Sequence, residues 1–240
     1  MEINQSTILT YSVLVGLSPL VPVPFVDDWL KNYFRRRMVK SLASSHNQIL
    51  SNDALKALVE EKGGGCLLGC LGAVIIYPLK KIFRKFFYFL EWKRAVDLTS
   101  HTYHYGYVVD YALREGYLKS DLNNYDSVRK AIDDVCKNTP IKPIESVVAS
   151  TFNQTKNLIW SGAELLEKAF RNLRRKATDE EKKEAVKSIE DEEKEKLEGV
   201  TSKLSRAIAN LPEEHFKAMR ERFVTAMKAS EQLSQAERET

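Results

Sequence analysis

A chain of 240 residues, 43% hydrophobic and 29% charged, is long enough to bury its own core, so it needs neither disulfides nor a structural metal to fold. A net charge of +4 falls well short of the concentrated positive field of a dedicated nucleic-acid binder and excludes nucleic acid as the expected partner. Ten glycines and seven prolines are too few for a turn-rich β-sandwich, which favours helix from the start.

The charge is unevenly spread. Residues 1–119 carry roughly five excess positive charges while the rest is near neutral, so the basic excess travels with the apolar segments. That pairing suits an anionic lipid surface better than a groove in DNA. Cys66, Cys70 and Cys136 make an odd number, and the N-terminus lacks the positive region and small-residue cleavage site of a secretory signal. Together these features predict a cytoplasmic protein, placed at the cytoplasmic face of a membrane.

Residues 8–26 are uncharged, but Pro19, Pro22 and Pro24 break the second half of the stretch. Each removes an amide donor and clashes with the preceding turn, and bare backbone is costly in lipid. The expectation is a short helix over residues 7–17 and then an extended connection. Asp27 and Asp28 open a second helix to about residue 44, with Arg35, Arg36, Arg37 and Lys40 further along, as the helix dipole prefers. Ser51 can cap a short helix whose apolar face is Leu55, Leu58 and Val59.

An apolar, glycine-rich run follows. Uncharged from residue 63 to residue 79, it would reach ~25 Å as a helix against a hydrocarbon core of ~30 Å, which is marginal for a span. A buried hairpin arm, a re-entrant segment or an interfacial helix fits at least as well. Gly65, Gly69 and Ala73 form a small-residue stripe that permits close helix packing. Cys66 and Cys70 stand one turn apart and invite lipidation or metal binding, although small buried cysteines are an ordinary packing choice. Immediately afterwards come Lys80, Lys81, Phe83, Arg84, Lys85, Phe86 and Phe87. Phenylalanines among acyl chains with cations at lipid phosphates would make this segment a membrane anchor; otherwise it is a core helix with its charges in water.

From Pro78 to about Glu115 the pattern reads as one long helix or two in sequence, stopped by Gly116. Within it Asp97, His101 and His104, spaced by four and three, fall on one helix face. Such a face could ligate zinc or iron with help from Asp27, Asp28 or Asp110; the plainer reading is a polar cluster in which Asp97 bonds His101. Asp126 can cap a helix through Val128, Ile132 and Val135, and an amphipathic helix runs from about residue 144 to 176 through Val148, Phe152, Ile159, Leu166 and Phe170. Thr178 caps a further helix carrying Val186, Ile189, Leu197, Val200, Leu204 and Ile208, and a last one begins at Pro212. The mixed charges of residues 171–198 read as a solvated surface laced with i,i+4 ion pairs.

The sequence holds no Walker A loop, no GxGxxG after a strand, no GxSxG, no HExxH and no zinc-finger spacing. The resulting expectation is an all-α multi-helix bundle with an apolar glycine-rich hairpin segment and a long charged C-terminal helical hairpin of coiled-coil character. It divides into a basic, membrane-interacting module over residues 1–119 and an amphipathic module over residues 120–240. The expected function is a non-enzymatic, cofactor-free protein held peripherally on an anionic membrane surface, as a scaffold or interaction protein with a protein partner or a second copy of itself. The alternatives are a soluble helical interaction module and a metal-dependent enzyme built on Asp97, His101 and His104.

Overall fold

The computed structural model describes residues 4–23, 26–59, 84–119, 124–171, 173 and 177–236, and over those residues the regular secondary structure is helical, with no strand. The helices are α1 (Gln5–Leu17), followed by a 3-10 turn (Ser18–Leu20), α2 (Asp27–Ser45), α3 (Asn52–Val59), α4 (Arg84–Arg114), α5 (Tyr125–Asn138), α6 (Lys142–Gln154), α7 (Lys156–Arg171), α8 (Asp179–Lys187), α9 (Glu190–Ile208) and α10 (Glu213–Ala236). The expected glycine-rich hairpin, including Gly65, Gly69, Ala73, Cys66 and Cys70, lies outside the described residues.

Helix α1 explains the arrangement. It carries no charge and has no polar face, and a helix apolar all round persists only when every side is covered. Ile8, Leu9, Val13, Leu14, Val15 and Leu17 are all at most 1% exposed. The cover is protein: α1 packs most extensively on α4, then on α2 and α9, with α7 at its end. Its approach to α4 is close because Gly16 has no side chain; a Cβ there would meet the Thr99 hydroxyl and come within 2.9 Å of the Ala95 carbonyl. One continuous core runs from Ile8 to Met227, with helices from both halves of the chain contributing to it.

Local signals place several boundaries. Ser51 Oγ accepts from the Ala54 amide, 3.1 Å away, at the start of α3. Thr178 and Glu181 form a reciprocal capping box at the start of α8. Gly116 ends α4 at φ +77°, a left-handed conformation that only glycine adopts without strain. Two expected long helices are divided. The helix expected over residues 144–176 breaks at Thr155, whose hydroxyl bonds back to the Thr151 carbonyl at 2.7 Å while its own backbone leaves the helical region. The helix expected from Thr178 to Ile208 is interrupted at Ser188 and Ile189, where Ser188 Oγ bonds the Ala185 carbonyl. In both cases a short hydroxyl side chain offers the backbone an alternative to the next helical turn. The stripes expected to pair do so, with α6 and α7 packing on α9.

Candidate functional site

Most large apolar side chains of the bundle are covered, and three of the exceptions are consecutive. Tyr88, Phe89 and Leu90, near the start of α4, are 40%, 65% and 43% exposed. They directly follow Arg84, Lys85, Phe86 and Phe87, which form the first turn of the same helix; Lys80, Lys81 and Phe83 lie outside the described residues.

This end of α4 is braced from one side. Trp92 stacks on Trp160 of α7 with ring centroids 6.0 Å apart and meets Phe152 of α6 edge-on, while Tyr88 meets Trp160 edge-on at 5.6 Å. Lys156 places its ammonium 5.9 Å from the Trp92 ring, and Arg94 pairs with Asp27 at 3.2 Å. Lys93 is exposed beside them. Phe89, the most exposed of the group, therefore projects from a rigid aromatic base rather than from a loop. No helix among the described residues is long and apolar enough to cross a membrane.

The histidines are distributed differently from the expected ligand face. His104 is fully buried and turns toward α10, where its Nε2 lies 3.0 Å from Nε2 of His215. His101, one turn earlier, is exposed, and Asp97 acts on it only as a nearby charge that opposes the effect of burial. Among the described residues no group of three His, Cys, Asp or Glu side chains is placed to hold a metal ion. Asp27 and Asp28 are engaged with Arg94 and Lys31. Asp110 accepts from Asn4 Nδ2 and pairs with His46 Nε2, each at 2.9 Å, inside the bundle. Burial pushes the His104 imidazole down to about 3, reinforced by the neighbouring His215 and His101 charges, and burial lowers His215 as well. Across the 3.0 Å contact one ring donates and the other accepts, so the pair requires a neutral ring.

Two further buried groups have clear chemistry. Cys136 is a free thiol that burial pushes up to about 12, which keeps it protonated and unreactive at neutral pH. Glu193 of α9 is 1% exposed, and among the described residues neither of its carboxylate oxygens has a hydrogen-bond partner. Burial pushes it up to about 8, partly opposed by Lys196, so it is held as the neutral acid. It fits because Gly162 of α7 faces it; a Cβ at that position would come within 2.7 Å of Glu193 Oε1.

Sequence reasoning singled out residues 80–87, whose side chains lie outside the described ones, and did not bring in His215 or Trp160, which tertiary packing supplies from far along the chain. No protein-family model matches the sequence, and no curated protein or solved structure matches it either.

Proposed function

We propose that the chain is a non-catalytic helical protein held peripherally on an anionic membrane surface through the aromatic, basic start of α4. The observation that carries this reading is the exposure of Tyr88, Phe89 and Leu90 on a braced helix end, next to Arg84 and Lys85 in the same helix and Lys80 and Lys81 just before it. Apolar side chains among cations are the composition that an interfacial helix needs: the rings enter the acyl boundary while the cations stay with the phosphates. Trp92, Trp160 and Tyr88 add amphipathic rings of the kind that favour the headgroup level. The apolar α1 supplies no part of this surface, since it is covered by protein.

The test is co-sedimentation of the full chain with anionic and with neutral vesicles. Binding should favour the anionic vesicles, and raising salt from ~50 to ~200 mM should weaken it, because screening shortens the reach of each cation. Phe89→Asp should reduce anionic-vesicle binding about tenfold or more, since one buried phenylalanine is worth ~1.5–3 kcal/mol. A chain that ignores anionic vesicles at low salt overturns the proposal. If that chain instead self-associates and Phe89→Asp disperses it, the same surface serves a second copy, and the protein is an interaction module.

A further inference from the structure

We propose that the groove between α6 and α9 binds a terminal phosphate group. The groove has a volume of about 520 Å³ and is open to solvent. One wall is the last turns of α9, with Lys203 and Arg206; the other is the α6 face carrying Ser146, Ser150 and Gln154, at successive spacings of four. Asn210 also lines it, and Val147 and Ala207 are apolar parts of the lining. Among the described residues no carboxylate lines it, although α9 itself begins with a dense acidic run. The polar part of the lining is thus made of cations, hydroxyls and amides.

The donors are available. Among the described residues neither Lys203 nor Arg206 has an ion-pair partner within contact distance, and Arg206 makes only a long 3.4 Å bond from Nε to the Ser202 carbonyl, leaving both terminal amino groups free. Gln154 donates to Ser150 Oγ at 3.3 Å, so the Ser150 hydroxyl has an acceptor position filled and its own proton free to give. Cations near the end of α9 by themselves would only complement its dipole. A dipole leaves the hydroxyl and amide groups on the opposite helix unused; a tetrahedral anion would take them as donors. A guanidinium that can bind two oxygens at once, a lysine as a point charge and a serine donor together suit a phosphate monoester, from a soluble metabolite or from a lipid headgroup.

Isothermal titration of the full chain with inorganic phosphate and with glycerol 3-phosphate is the direct test. Sites of this kind should show a Kd on the order of 1 mM. Arg206→Ala and Lys203→Ala should each weaken binding about tenfold, and Arg206→Lys should recover only part of it, because lysine lacks the two-pronged geometry. Both positions are exposed, and unchanged circular dichroism should confirm the fold. Vesicles bearing phosphatidate distinguish the source. If free phosphates give no heat but Arg206→Ala weakens phosphatidate binding, the group recognised is a lipid headgroup and the site stands. If free phosphates bind and Arg206→Ala weakens them, the ligand is soluble. Binding of all three that is indifferent to Arg206 and Lys203, or no binding of any, overturns the proposal. These outcomes are independent of Phe89, so failure here leaves the aromatic surface untouched.

Discussion

Helix α1 and the start of α4 are two apolar segments of the N-terminal half among the described residues, and they end in opposite environments. In α1, Leu14 and Val15 are fully covered by neighbouring helices; at the start of α4, Phe89 is 65% exposed. The presence of large apolar side chains does not separate them. What does is the distribution of charge: α1 has none, so no side of it can face water, whereas the start of α4 flanks its run of apolar residues with Arg84 and Lys85 before it and the exposed Lys93 and Arg94 after it. An uncharged helix thirteen residues long is too short to span a bilayer and is best covered by protein.

The sharpest way to break this contrast is to place one carboxylate in each segment. Leu14→Asp should abolish cooperative thermal unfolding, because it buries an unpaired charge at a fully covered site and opens a cavity at once, a loss of more than about 4 kcal/mol. Phe89→Asp should leave stability within about 0.5 kcal/mol, as exposed substitutions do, while weakening vesicle binding. Comparable losses at both positions would mean that the α4 end is also part of the core.

Glu193 offers a second contrast, since it is a carboxyl buried where α1, α7 and α9 meet. Its folded-state value of about 8 lies above the ordinary 4.5, so the folded chain holds a proton that the unfolded chain releases. Stability should therefore fall as pH rises from about 4.5 to about 8, by about 1.4 kcal/mol per pH unit from this group. Glu193→Leu should remove that slope and stabilise the protein by about 3 kcal/mol at pH 7, as read by urea denaturation at pH 5 and pH 8. A variant with the same slope as the parent would show that the carboxyl is solvated.

His104 works in the other direction. Its value is depressed from 6.5 to about 3, so its contribution is complete above pH 6.5 and is lost as pH falls toward 3. At pH 5 the cost reaches about 2 kcal/mol from this ring alone, and His104→Leu should make the chain correspondingly less sensitive to acid. An unchanged acid midpoint would place the sensitivity elsewhere.

What was legible in the sequence was local. Ser51, Thr178 and Gly116 act on their own turns, and each marks a boundary in the structure. The all-helical class followed from apolar spacing in the same way. The breaks at Thr155 and Ser188 were missed because an amphipathic stripe continues through them; only the side chain's bond back to its own helix reveals the interruption. The histidine face is arranged differently from its spacing for a related reason. Spacing put Asp97, His101 and His104 on one side of α4, but burial of that helix turned His104 toward His215, 111 residues away. The opposing wall of the α6 and α9 groove was equally invisible, since neither helix announces its neighbour.

The end of α3 has a mechanical meaning. The Leu58 carbonyl, in the last turn of this eight-residue helix, accepts from the Tyr105 hydroxyl of α4 at 2.9 Å and from the Arg129 guanidinium of α5. Arg35 of α2 and Arg129 both lie against the Tyr105 ring, with guanidinium carbons 6.0 and 5.8 Å from its centre. A helix so short would fray if left alone. Tied in this way, it forms a mooring, its last turn held through one carbonyl by two other helices.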